Sequence, residues 1–199
     1  MHRVALKKSA PSGPSPAEQG YAAYSRGDFD AARTHYETAL ERDPFNRDAL
    51  LGLAALDTRQ QDFLSAEARY LRLLEMDPRD PYAHAGLLSL RGQQDAVAAE
   101  SRIKNLLSQR PDANVLHFTL GNQYAAQGRW PEAQQAYFKA YASEPTNPDY
   151  AFNLAVSLDH LRQPRLALEY YQKALKLAAE RPASFQAAQA ESRIVELDR

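Results

Sequence analysis

The sequence predicts an all-α protein: a right-handed α-solenoid of about five helix-turn-helix hairpins, closed by a C-terminal capping helix. Three observations predict it. A period of 33 to 34 residues runs through the chain, apolar residues within each period recur at three- and four-residue spacing, and Gly or Pro punctuates each period at corresponding places. A fixed period of this length is the signature of stacked supersecondary units, each too small to bury its own apolar face.

The period is read most directly from Tyr36, Tyr70, Ile103, Tyr137 and Tyr171, at intervals of 34, 33, 34 and 34 residues. Each follows by four residues a small partner: Ala32, Ala66, Ala99, Ala133 and Ala167. Pro44, Pro78, Pro111 and Pro145 mark the turn that ends a unit. Within a unit, series such as Ala133, Ala136, Tyr137 and Ala140 follow the period of an amphipathic helix. Gly27, Gly128 and Pro164 break each of their units into two helices, and Pro131 and Pro164 suit the first turn of a second helix, where a missing N–H costs nothing.

Taken in order, residues 1–15 read as a flexible Pro/Ser-rich linker and residues 16–181 as the array, with units at about 13–46, 47–80, 81–113, 114–147 and 148–181. Residues 182–199 read as the capping helix, with Phe185, Ala188, Ile194 and Leu197 covering the last hairpin. The third unit lacks one residue around positions 91–95, and Ile103 replaces its tyrosine, which predicts a shortened hairpin there.

Residues 114–147 carry a specific resemblance. Leu120-Gly121, Tyr124, Gly128, Trp130, Ala133, Tyr137, Ala140 and Pro145 resemble the tetratricopeptide repeat at that family's length, and the other units follow in phase. The resemblance implies a concave surface formed by the first helices and an outer wall formed by the second. It also implies a protein-interaction scaffold, and the style of the repeats resembles bacterial arrays attached to envelope machinery such as pilus or secretion assembly.

On the helical period, the first-helix residues free of hairpin packing include Tyr21, Tyr24, Asp48, Leu51, Tyr82, Phe118, Asn122, Phe152, Val156 and Asp159; with Arg59 and Asn153 as polar candidates, these form the expected partner-binding groove. Family members that bind acidic carboxyl-terminal motifs place lysine, arginine and asparagine in such slots. Here Leu51, Ala85, Phe118 and Phe152 stand where lysines would, and Asp48 has the opposite sign. The groove is therefore expected to take an apolar or amphipathic protein segment, with Asn122 and Asn153 fixing its backbone. Phe118 and Phe152 are expected to lie at least half exposed in it. A second copy of the chain or the capping helix is the alternative occupant, which would make the module homo-oligomeric or self-covered.

Several function classes start low. The chain carries 24 basic and 25 acidic residues, intermixed, so no basic face for nucleic acid is expected. There is no cysteine, hence no disulfide or thiolate metal site. No phosphate-binding glycine loop, nucleophile elbow or His-Glu-x-x-His helix occurs, so no catalytic residue, cofactor or metal is expected. His84 and His117, 33 residues apart, read as packed hairpin-start residues lacking a third metal ligand. No apolar run reaches the roughly 18 residues of a membrane span, so no direct membrane insertion is expected. The chain reads as cytoplasmic and non-enzymatic. A periplasmic domain of an anchored protein, or a docking domain of a larger enzyme, is the alternative should more chain precede residue 1.

Overall fold

The computed structural model describes residues 13–90 and 96–198. Among them lie eleven helices and no strand: α1 (Pro16–Ser25), α2 (Phe29–Arg42), α3 (Arg47–Arg59), α4 (Phe63–Met76), α5 (Pro81–Leu90), α6 (Ala96–Gln109), α7 (Asn114–Ala126), α8 (Trp130–Ser143), α9 (Pro148–His160), α10 (Pro164–Ala178) and α11 (Ala187–Leu197). α1 packs on α2, α3 on α4, α7 on α8 and α9 on α10 as hairpins; each second helix rests on the next first helix, and α11 rests on α10. The result is an all-α solenoid.

Local chemistry starts each helix at the same place in the repeat. Asn46 and Asn147 cap the first helices α3 and α9, accepting backbone N–H bonds from Ala49 and from Asp149 and Tyr150. Asp80 does the same for α5 through Tyr82 and Ala83. The second helices α2 and α4 begin at Asp28 and Asp62 caps, whereas α8 and α10 carry Pro131 and Pro164 in the first turn. The turn inside each hairpin needs a left-handed residue. Gly27, Gln61, Gly128 and Arg162 all adopt positive φ, at 77°, 62°, 71° and 56°, in one repeat position. Two units thus meet the requirement with glycine, and two bear the steric cost of a side chain.

The tyrosine of each second helix sets the stacking distance. Tyr36 is wedged between α1 and α3: a Cβ on Gly20 would lie 2.6 Å from its ring, and one on Gly52 closer still. Gly86 meets Tyr70 in the same way, and Gly121 meets Tyr137 at 2.5 Å. The ring occupies the volume that a methyl group would need, so helix spacing and ring position are one constraint.

The third hairpin breaks this rule, and its helices respond. Leu88 stands in the slot filled elsewhere by Gly20, Ala54, Gly121 and Ala155, with Ile103 in the tyrosine slot. A branched side chain where the helices should touch holds them apart, and among the described residues α5 and α6 share little contact. α5 instead rests on α4 and α7, and α6 on α7. Ile103, fully buried, joins the apolar core of the C-terminal units. The shortened turn expected at 91–95 lies outside the described residues, as does the linker expectation for residues 1–12. At the other end, the capping helix begins at Ala187, and Ala190 takes the buried slot expected of Ala188, which is exposed. Ala190, Ile194 and Leu197 share the 4- and 3-residue spacing of one helical face, and Ala188 falls off it.

Charged ties run between units. Asp57, 1 % exposed, accepts from Arg33 Nη2 at 2.8 Å and Arg69 Nε at 2.6 Å, joining α2, α3 and α4. Arg193 holds Asp159 with two bonds of 2.5 and 2.8 Å, fastening α11 to α9.

Two outcomes test this architecture. Gly52→Ala gains about 1 kcal/mol of helix propensity but overpacks a ring with no room to retreat, at a cost of about 1–3 kcal/mol; a net loss in urea unfolding is expected, while Gln61→Gly should add about 0.5–1 kcal/mol by relieving the left-handed turn. Burial also pushes phenols up: Tyr36 to about 12, by desolvation first and then by nearby Tyr24, Tyr21 and Asp48, with Tyr137, Tyr150 and Tyr171 raised further. An unfolded tyrosine titrates near 10, so this stability is intact below about pH 10 and lost as pH rises through the folded values. The urea midpoint should fall steeply above about pH 10, and an unchanged midpoint at about pH 11.5 would contradict the wedge.

Candidate functional site

The first helices α1, α3, α5 and α7 line a single trough of about 940 Å³. Its walls include Tyr21 and Tyr24 from α1, Asp48 and Leu51 from α3, Tyr82 from α5, and Phe118 and Asn122 from α7. The structure therefore brings seven of the sequence-derived groove residues to one surface. Tyr21 is 62 % exposed and Tyr82 42 %, large open rings for a surface residue. Phe118, expected at least half exposed, is mostly covered: it tilts against Tyr150 at 4.9 Å and Tyr137 at 5.7 Å between ring centroids.

The other five sit elsewhere. Phe152, expected open, is buried: Phe185 stacks face to face on it with centroids 4.3 Å apart and planes 1° apart, and Tyr171 meets it edge-on. The chain between α10 and α11 is tied there, since the Ser184 backbone N–H and hydroxyl donate to the Asp149 carboxylate at 2.7 and 3.1 Å. The chain's own C-terminal segment thus occupies the place on α9 that corresponds to Phe118 on α7. Asn153 spends its amide on the Asp149 carbonyl, 2.9 Å away. Arg59 lies over the Phe29 ring at 4.3 Å, on the hairpin turn side of α3. Val156 and Asp159 border a separate, smaller cavity of about 430 Å³ with Tyr171 and Arg193, where Asp159 is already engaged by Arg193.

Sequence reasoning missed part of the trough. Tyr36 and Tyr70, used in the sequence only to read the period, also line it, and Gly52 and Gly86 line it beside their rings. Gln123 lines it too, 7 % exposed, with its side-chain Oε1 buried and lacking a donor. The signal for Phe185 was present, since it follows Phe118 and Phe152 at the repeat interval.

The histidines take repeated structural roles. His84 Nε2 donates to the Pro78 carbonyl at 2.9 Å, and His117 Nε2 to the Pro111 carbonyl at 2.8 Å. His160 stacks on Trp130, 3.6 Å between centroids and 4° between planes. Among the described residues no three His, Cys, Asp or Glu side chains gather as a metal-ligand set, and no helix is long and apolar enough to cross a membrane.

Paired helices stacked on a tyrosine wedge, with an inner trough along the first helices α1, α3, α5 and α7, define a helical-repeat protein. The sequence pattern of the tetratricopeptide repeat family matches residues 18–81 and 118–185, and the chain belongs to that family. The gap between the two matched stretches contains the third hairpin, where Leu88 and Ile103 depart from the pattern. Over 155 residues, 78 % of this chain, it is 30 % identical to cellulose synthase operon protein C of Xanthomonas axonopodis pv. citri (strain 306). The match spans only 8 % of that protein's length. Its fold resembles TTC0263, a thermophilic repeat protein of Thermus thermophilus, with a TM-score of 0.71 at 25 % identity over 92 % of this chain and 96 % of that one. PilW, a type IV pilus biogenesis factor, shares the fold at a TM-score of 0.59 and 18 % identity, over 92 % of this chain and 89 % of that one.

Phe185 is the part of this surface easiest to test. Phe185→Ala should uncover Phe152 and lower stability by roughly 2 kcal/mol, below the ~3–5 kcal/mol of a fully buried ring. Binding of a hydrophobic dye such as ANS should rise with it; unchanged dye binding would mean that Phe152 stays covered.

Proposed function

We propose that this chain is a non-catalytic scaffold that holds a segment of a partner protein in the trough across α1, α3, α5 and α7. The observation that carries the reading is a contiguous concave surface on which Tyr21, Leu51, Tyr82 and Phe118 all present apolar area. A surface of this size and character exceeds what scattered exposed residues need, and ligand sites of this kind are concave, mostly apolar and edged by a few polar groups. Burying aromatic and aliphatic area is the affinity source; the polar groups set register.

The relatives support one setting for that partner. Likeness to a cellulose synthase operon protein along most of the chain favours assembly within a bacterial polysaccharide-synthesis system. That replaces pilus or secretion assembly as the leading context, because the resemblance to PilW speaks for fold alone.

A phage-displayed library of random peptides panned against the chain should yield binders. Tyr21→Ala and Tyr82→Ala should weaken them by about fivefold or more while moving the melting temperature little, since both rings stand among the exposed large apolar side chains. Binders indifferent to both changes, or none recovered, would remove the trough as the docking surface. Sedimentation of the unliganded chain separates a partner from a second copy: a monomer is expected.

A further inference from the structure

The polar groups of the trough say which kind of segment it takes, and this step rests on the scaffold reading above. Most of them are already engaged. Thr119 Oγ1 donates to the Val115 carbonyl at 2.8 Å, and Asn122 Oδ1 accepts the Tyr137 hydroxyl at 2.9 Å. Arg47, the one cation among the described lining residues, gives its Nε to Asp80 at 2.6 Å, a carboxylate only 2 % exposed. Three further lining residues bear acceptors: Asp48, Glu18 and Gln123. Asp48, with its side chain 77 % exposed, has only the Arg47 Nη1 nearby, at 3.6 Å, beyond hydrogen-bond distance. Glu18, at the α1 end of the trough, accepts the Ser15 N–H. Gln123, more than nine-tenths buried on the α7 wall, holds an acceptor oxygen with no donor.

Carboxylates outnumber cations on the lining, Glu18 and Asp48 against Arg47, whose Nε is held by Asp80 while its Nη1 stands 3.6 Å from Asp48. A buried acceptor without a donor is costly, and a ligand that supplies an N–H recovers that cost. The exposed face of Tyr21, with no cation over it among the described residues, is a further surface that favours positive charge.

We infer that the trough selects a partner segment combining aliphatic residues with lysine or arginine, its cation paired with Asp48 and an N–H of the segment closing on Gln123 Oε1. The aliphatic residues lie along Leu51, Leu88 and Phe118. This is the reverse of a site for acidic carboxyl-terminal motifs. Charge complementarity at the rim sets selectivity and encounter rate, while the apolar floor supplies affinity.

The test uses the full chain and three fluorescein-labelled ten-residue probes with identical Leu/Ala/Val content, carrying two arginines, two glutamines or two glutamates, read by fluorescence anisotropy. The arginine probe should bind at least about tenfold tighter than the glutamate probe, with the gap shrinking as salt screens the rim. Asp48→Asn should weaken the arginine probe by about three- to tenfold and leave the glutamine probe unchanged. Gln123→Leu should weaken all probes several-fold without lowering the melting temperature, because it removes an unsatisfied buried group; binding loss with an equal stability loss would make Gln123 a packing residue and overturn its role. Equal affinity for the arginine and glutamate probes, or insensitivity to Asp48→Asn, would overturn the basic-segment inference while leaving the scaffold reading intact. If no probe binds and cellohexaose does, or if the chain forms a dimer that Tyr82→Ala dissolves, both readings fall.

Discussion

A tyrosine ring lodged against glycine is the contact on which this solenoid depends. Tyr36 fills the space between Gly20 and Gly52, and neither glycine has room for a methyl group. That fit sets how near α2 comes to its own α1 and to the following α3, so it fixes both the hairpin and the stacking of hairpins. It also brings the ring to the floor of the concave face. Packing and binding surface are two sides of the same side chain, and interiors at this density respond to single methyl groups.

Departures from the wedge explain where the array changes character. In the third hairpin the large and small members of the pair are exchanged, with Leu88 for glycine and Ile103 for tyrosine, and α5 and α6 separate. The core follows the break: Tyr70, Leu73 and Leu87 belong to one cluster, whereas Ile103 and Leu116 belong to the next. At the C-terminal end the departure is a closure. Phe185 on Phe152 and Arg193 on Asp159 cover the face that the fifth hairpin would otherwise add to the trough. A terminal unit must hide the apolar surface for which it has no neighbour, and here the covering segment ends the trough at α7.

The remaining open surface combines large rings with an exposed carboxylate and a buried acceptor that lacks a donor, a combination that gives area for affinity and charge for discrimination. The ties elsewhere on the molecule are saturated. Asp57 between two arginines and Asp159 under Arg193 are held in place between helices, so they stabilise the array and have little left to offer a partner. The contrast between those carboxylates and Asp48 is one of position, since all three lie on first helices.

The repeat, its two helices and its turns were legible in the sequence because they depend on local rules. Asn46, Asp80 and Asn147 cap helices through their own neighbours, Gly27 and Gly128 supply left-handed turns, and the tyrosine period survives any overall curvature. Tyr21, Tyr24, Asp48, Leu51, Tyr82, Phe118 and Asn122 share a surface because helical phase alone puts them on one side. What only tertiary structure decided was which stretch of that side stays open. Phe118 and Phe152 are identical in type and phase, yet one lines the trough and the other lies under Phe185. The difference comes from a contact between residues 33 apart, whose geometry depends on how the chain turns after α10, and periodicity carries no information about that turn. The pairing state of Gln123 and Asp48 was hidden for the same reason: whether a polar group has a partner is a fact about three-dimensional neighbours.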